Sequence, residues 1–175
     1  MRKLKIEELN RLSVQEYQSS EKNPLVLVLD NVRSMNNVGS AFRTADAFRV
    51  DKICLCGITA RPPHREINKT ALGATESVEW TYHEYTMNAI HELKEKGYKI
   101  ISVEQAEGST NLQDLKIETT EKFALVFGNE VFGVEQEVID ASDLCVEIPQ
   151  FGTKHSLNIS VSMGIVVWDL VKRWL

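Results

Sequence analysis

Cysteine is scarce in this chain of 175 residues: Cys54, Cys56 and Cys145 are the full set. The count is odd, no C-x-x-C spacing occurs, and all three sit in apolar, strand-like surroundings. That pattern argues against a disulfide framework or a cysteine metal site and for buried, reduced thiols. Long apolar runs are also missing. No uncharged stretch approaches membrane-spanning length, and Met1-Arg2-Lys3-Leu4-Lys5-Ile6-Glu7 has no apolar segment of signal-peptide size, so the expected location is cytoplasmic, with no membrane partner. Neither G-x-G-x-x-G nor a P-loop follows any predicted strand, which counts against a nucleotide- or flavin-binding doubly wound protein. Internal repeats and low-complexity stretches are absent. Positive charge is in deficit, with 20 Lys and Arg against 25 Asp and Glu and a formal net charge of −5. A nucleic-acid partner therefore cannot be argued from composition and has to rest on local clusters of cations, because phosphate binding is driven locally.

What remains is ordinary globular composition, with 43% hydrophobic and 26% charged residues. The length suits one domain that buries roughly two-thirds of its unfolded surface. Residues 1–24 are polar and read as a short helical extension, with Ser13 to Glu16 matching a capping box, ahead of a single domain over 25–175. Leu25 to Leu29 is a continuous apolar run, as expected for a strand covered on both faces. Similar runs recur at Ile53 to Cys56, Lys99 to Val103, Phe123 to Phe127 and Leu144 to Ile148. Segments of helical period separate them at Val38 to Phe48, Thr86 to Lys96 and Glu135 to Ala141. Alternation of this kind predicts an α/β domain with a mostly parallel sheet and helices on both faces. The last segment, Ser156 to Trp174, predicts a helix with Leu157, Val161, Ile165, Trp168 and Val171 on one stripe, widened by Val166, Val167 and Leu170. It is read either as a core helix or as one that also forms a dimer interface.

Ligands in open parallel sheets bind beyond the carboxyl ends of the strands. Asp30 to Gly39, Gly128 to Gly133 and Pro149 to His155 each follow such an end, so three polar turns are expected to meet at one edge. Gly and Asn are also ordinary turn residues, so position alone leaves the matter open. The chemistry inside the turns adds to it. Arg43 is the one long cation in an apolar first helix and needs an anion, either a ligand or a structural partner such as Asp46 or Glu130. Glu130 stands between two glycines. Ser156 and Asn158 open the final predicted helix, as caps or as part of an anion site.

The order and spacing of these residues, Asn-x-Gly-Ser-x-x-Arg-Thr-Ala-Asp-Ala, then Gly-x-Glu-x-x-Gly, then Ile-Pro-x-x-Gly-x-x-x-Ser-Leu-Asn-x-Ser-Val, resembles the three motifs of the SpoU/TrmH family of RNA ribose 2'-O-methyltransferases in the SPOUT superfamily. The resemblance runs from Leu27 to the C-terminus. It implies a SPOUT α/β domain with a C-terminal trefoil knot, a homodimer, and S-adenosyl-L-methionine as cofactor. By motif match, Gly128, Ile148 and Leu157 fall on cofactor-contacting positions, while Asn37, Arg43, Glu130, Ser156 and Asn158 fall on catalytic ones; no metal is implied.

A ribose 2'-hydroxyl is a poor nucleophile at neutral pH, so positioning and relief of its proton are the enzyme's tasks. Because arginine stays protonated, Arg43 is read as an electrostatic partner of an RNA phosphate and of the developing alkoxide. Asn37, Ser156 and Asn158 would orient it, the ribose and the cofactor, and Glu130 would hold Arg43 or Asn37. Arg61, His64, Arg65 and Lys69, with Lys154 and His155 and also Arg33, supply the local cations for RNA. As structure alone, Arg61 to Lys69 is a solvated loop. The short segment before Pro24 favours tRNA as substrate, with rRNA as the alternative and a catalytically inactive RNA-binding module as a third reading.

Overall fold

A computed structural model describes residues 1–175, the side chain of Ile6 excepted. In chain order the first half contains α1 (Val14–Ser19), β1 (Asn23–Asp30), α2 (Met35–Ala47), β2 (Val50–Cys56), α3 (Arg65–Ala71), α4 (Ala74–Ser77), β3 (Glu79–His83) and α5 (Thr86–Glu95). The second half adds β4 (Tyr98–Val103), β5 (Thr110–Asn111), β6 (Lys122–Phe127), α6 (Gln136–Ala141), β7 (Leu144–Glu147) and α7 (Ile159–Val171). The strands form one seven-stranded sheet in the order β3-β2-β1-β6-β4-β7-β5, and every neighbouring pair is parallel.

Alternation along β1 explains why both faces are covered. Leu25, Leu27 and Leu29 point into a core built with Val38, Ala41 and Phe42 of α2 and Val166, Val167 and Leu170 of α7. Val26 and Val28 point the other way, against Ala89, Ile90 and Leu93 of α5 and Val138 of α6, where Cys54 and Cys56 also lie. A strand with water on neither side has no reason to alternate in polarity, and β1 reads as an unbroken apolar run. All three cysteines are free thiols, with Cys145 half-buried.

The α1 capping box forms as expected: Ser13 Oγ accepts from Glu16 N at 3.3 Å and the Glu16 carboxylate accepts from Ser13 N at 2.7 Å. Tyr17 is buried, and its hydroxyl donates to Ala45 O at 3.3 Å, which seats α1 on α2.

Several elements depart from expectation. β3 and the two-residue β5 are the sheet's edges, and their polar, part-exposed residues carry no apolar run to reveal them. Part of the solvated segment Arg61 to Lys69 is helical, since α3 begins at Arg65. The last helix starts at Ile159, three residues after the predicted Ser156, with Asn158 as its N-cap. Its predicted stripe is largely the exposed side: Val161, Ile165 and Trp168 are open, whereas Met163, Val166, Val167 and Leu170 face the core. Among the described residues, no helix is long and apolar enough to cross a membrane.

Candidate active site at the carboxyl edge of the sheet

The end of β1 is fixed by a buried carboxylate. Asp30 accepts from Thr86 Oγ1 at 2.6 Å and Asn31 Nδ2 at 3.0 Å through one oxygen, and from the Glu135 amide at 2.9 Å through the other. Asn31 follows at φ 55°, a left-handed conformation that Asn tolerates better than most residues. Its Oδ1 accepts from Ile58 N at 3.1 Å, its Nδ2 donates to Glu135 Oε1 at 2.8 Å, and its carbonyl accepts from Asn129 Nδ2 at 2.8 Å. The loops after β1, β2 and β6 are thereby tied together at one residue. Burial and the nearby Asp30 carboxylate push the Glu135 carboxyl above its ordinary value.

On this platform the three polar turns meet. Glu130 Oε1 accepts from Ser34 N and Asn37 Nδ2, and Oε2 from Arg33 N, each at 2.9 Å. Burial raises the Glu130 carboxyl, but these donors outweigh it and hold the group below its usual range. Since Asn37 Nδ2 faces a carboxylate, its Oδ1 is the acceptor for Asn158 Nδ2, at 3.3 Å. Asn158 Oδ1 in turn accepts from Ser160 N at 2.9 Å and caps α7. One hydrogen-bonded chain therefore links Glu130, Asn37 and Asn158, one residue from each of the three motifs.

The turn carrying Glu130 is stiff. Asn129 and Gly133 exchange two backbone hydrogen bonds of 2.9 Å, and Asn129 Oδ1 accepts from Val131 N at 2.8 Å and Phe132 N at 3.2 Å. A Cβ on Gly128 would lie 2.1 Å from Gly133 C and Val134 N, so glycine is what lets the two arms of the turn touch. Behind the turn, Glu104 accepts from Val134 N at 3.0 Å and Gln105 N at 2.8 Å, and Gln105 Nε2 donates to His155 O at 2.7 Å.

These segments enclose a cleft of about 550 Å³. Gly128, Glu130, Ile148, Ser156, Leu157 and Asn158 all line it. Ser156 precedes α7 and does not cap it. The volume falls in the range of small-molecule sites, and the lining mixes apolar side chains (Val103, Ile148, Leu157) with backbone groups and carboxylates.

Arg43 is placed apart from the cleft. It is exposed on α2 and lines an adjoining shallow groove of about 410 Å³ with Lys69, Thr70 and Ser160. Neither suggested structural partner holds it: Arg43 joins no ion pair among the described residues, while Asp46 accepts from Ser77 Oγ at 2.6 Å and Glu130 from the three donors above. Among the RNA candidates, His64 caps α3 by accepting from Glu66 N at 3.1 Å, and Lys69 pairs with Glu66 at 2.8 Å. Arg33, Arg61, Arg65 and Lys154 are exposed.

Asp30, Asn31, Glu104, Gln105 and Asn129 were not singled out from sequence. Asn129 sat in plain view beside Glu130, and Asp30-Asn31 closes an apolar run as a turn pair does. For Glu104 and Gln105 no signal existed. Among the described residues, no group of three or more His, Cys, Asp and Glu side chains is placed to hold a metal ion.

The model of the SpoU rRNA Methylase family matches residues 24–168. A tRNA (guanosine(18)-2'-O)-methyltransferase of Borreliella burgdorferi is 31% identical over 151 residues, covering 86% of this chain and 67% of the relative. A 23S rRNA (guanosine-2'-O-)-methyltransferase of Neisseria meningitidis is 33% identical over 144 residues, covering 82% of this chain but 56% of the relative. Among solved structures, the AdoMet-bound rRNA methyltransferase from Sinorhizobium meliloti superposes with a TM-score of 0.82 at 26% identity, covering 89% of this chain and 58% of that one. The chain thus spans between about half and two-thirds of the length of these three proteins.

Proposed function

The chain belongs to the SpoU rRNA Methylase family, and from that premise we propose that it transfers a methyl group from S-adenosylmethionine to a ribose 2'-hydroxyl of RNA. The observation that carries this reading is the hydrogen-bonded chain from Glu130 through Asn37 to Asn158, which brings one residue of each motif to the edge of a cleft of cofactor size.

The residues present fit the cofactor. Gly128, Ile148 and Leu157 would hold it against the cleft wall, through backbone groups and apolar contact. When bound, it supplies a sulfonium methyl that is already an activated electrophile. The rest of the work falls to side chains. Glu130, held ionised by its three donors, is a strut and a poor base; it fixes Asn37, and Asn37 fixes Asn158. With Ser156, these amides orient the ribose. Arg43, unpaired among the described residues, meets a substrate phosphate and stabilises the developing alkoxide, while the proton leaves to that phosphate or to water.

The favoured RNA is tRNA; rRNA is the second reading, because relatives of both kinds match. The proposal includes a cytoplasmic enzyme, the C-terminal trefoil knot that the resemblance implies, and a homodimer. For the dimer, the support is on α7: Val161, Ile165 and Trp168 are 49%, 39% and 48% exposed on one stripe, and Gly164 beside them opens onto free space.

The test is to incubate the purified protein with radiolabelled cofactor and RNA from cells lacking it, then map the new 2'-O-methyl nucleotide. Arg43→Ala should lower methyl transfer roughly 100-fold or more while leaving cofactor affinity close to wild type. Full activity of that variant would remove Arg43 from the site, and no incorporation into any RNA would revive the inactive binding module.

A further inference from the structure

At the carboxyl ends of β2 and β3, away from the cleft, a cation is stacked on an aromatic ring with nothing else to hold it. The Arg61 guanidinium carbon lies 4.2 Å from the Tyr82 ring centroid. Arg61 joins no ion pair among the described residues, unlike Lys69 nearby. The ring beneath it is fixed, because Tyr82 Oη donates to Gly57 O at 3.1 Å and Gly57 N donates to His83 O at 3.0 Å. Tyr82 is 37% exposed, and Ile58 and Tyr85, 65% and 63% exposed, lie at the same strand ends.

The position relative to the site is set by the sheet. β3 is three strands from β6 in the strand order, so with about 4.8 Å between strands the stack stands roughly 14 Å along the edge from the Glu130 turn. The loop between is rigid: Ile58 N donates to Asn31 Oδ1 at 3.1 Å, and Val32 N to Thr59 Oγ1 at 2.9 Å. The loop that leads to Arg61 is therefore tied to the one that leads into α2, where Asn37 lies.

A guanidinium is flat, delocalised and weakly hydrated. With one face on a tyrosine, its other face is open to a second π system while its edge still donates to phosphate oxygens. RNA-binding sites accept unstacked bases on aromatic rings and arginine planes, whereas paired bases have no free face to offer. We propose that Arg61 and Tyr82 form a stacking clamp for an unpaired base of the substrate RNA, flanking the nucleotide that is methylated. The proposal rests on the reading of this chain as an RNA methyltransferase, and it adds that the target lies in a single-stranded segment, such as a loop.

The test separates stacking from charge. Binding of the full chain to a short oligoadenylate is compared with binding to the same strand annealed to its complement, for wild type, Arg61→Lys, Tyr82→Leu and Tyr82→Phe, with melting temperatures checked for each. Arg61→Lys and Tyr82→Leu should each weaken single-strand binding by about five- to a hundredfold and leave duplex binding within about twofold. Tyr82→Phe, which keeps the ring, should stay near wild type. If Arg61→Lys binds like wild type, or if single strand and duplex lose equally, Arg61 acts as a point charge and the clamp is wrong. A wild type that prefers duplex, or does not bind the single strand, overturns it as well. Methylation by a wild type whose variants all match it would sink the clamp and leave the enzyme reading standing. Clamp-dependent binding without methylation of any RNA would do the reverse.

Discussion

Glu130 is the member of the three-turn chain whose contribution can be worked out from geometry, through Glu130→Gln. The glutamine carbonyl can replace Oε1 and keep accepting from Ser34 N and Asn37 Nδ2, but its NH₂ must then stand where Oε2 accepted from Arg33 N. Two donors face each other, and the two surviving bonds drop from charged to neutral strength. A hydrogen bond to a charged group is worth about 1.5–3 kcal/mol. Glu130 is exposed on one side, so water takes up part of the loss, and a net cost of about 1–2 kcal/mol is expected. In a domain of this size that lowers the melting temperature by about 2–8 °C. The pH dependence follows from the depressed carboxyl. Its folded value lies below the ordinary 4.5, so the stabilisation is fully present above 4.5 and is lost as pH falls through the folded value. The gap between wild type and Glu130→Gln should be constant near neutrality and close in acid. The assay is thermal melting across that range, with methyl transfer at neutral pH, where a loss of roughly tenfold is expected as Asn37 loosens. Combining the change with Asn37→Ala should cost less than the sum of the single changes, since Glu130→Gln weakens the bond that Asn37→Ala removes. Melting within about 1 °C of wild type at neutral pH, or strict additivity, would refute the view of Glu130 as the strut of the site.

Gly39→Ala places a Cβ 2.1 Å from Thr70 Oγ1 and 2.2 Å from Ile67 O, so α3 must move off α2; a loss of about 1–3 kcal/mol in denaturant melts is expected, and an unchanged midpoint would contradict the close approach. Burial, opposed by Glu92, lowers His83 below its ordinary 6.5. The unfolded chain then binds more protons than the folded one below that value, so wild-type stability should fall as pH drops through 6.5, and His83→Gln should flatten that slope. Trp168→Glu puts charge on the exposed stripe of α7 and should give a monomer by sedimentation, whereas an intact dimer would move the interface elsewhere.

What could be read from residues alone divides along burial. β1 and β6 were legible because strands dry on both faces are apolar throughout, as in Leu25 to Leu29 and Phe123 to Phe127. β3 and β5 were not, because edge strands keep polar residues that look like loop. For α7, Ser156 and Asn158 both suit an N-cap, and only the geometry selects Asn158. Its apolar residues cover so much of the circumference that periodicity could not separate the stripe at Val161, Ile165 and Trp168 from the core face at Met163, Val166 and Leu170.

The same limit governs the site, where motif order could name Asn37, Glu130 and Asn158 but not their bonds to one another, which span 93 and 121 residues. The pairing of Arg43 with Glu130 was a reasonable expectation, since a cation beside a carboxylate normally finds it. In the structure the pair does not form: Glu130 accepts from two backbone amides and Asn37, Asp46 accepts from Ser77, and Arg43 joins no ion pair among the described residues. An exposed guanidinium in a groove shared with Lys69 has no anion to meet within its own chain among the described residues, which leaves it available for the substrate phosphate proposed above.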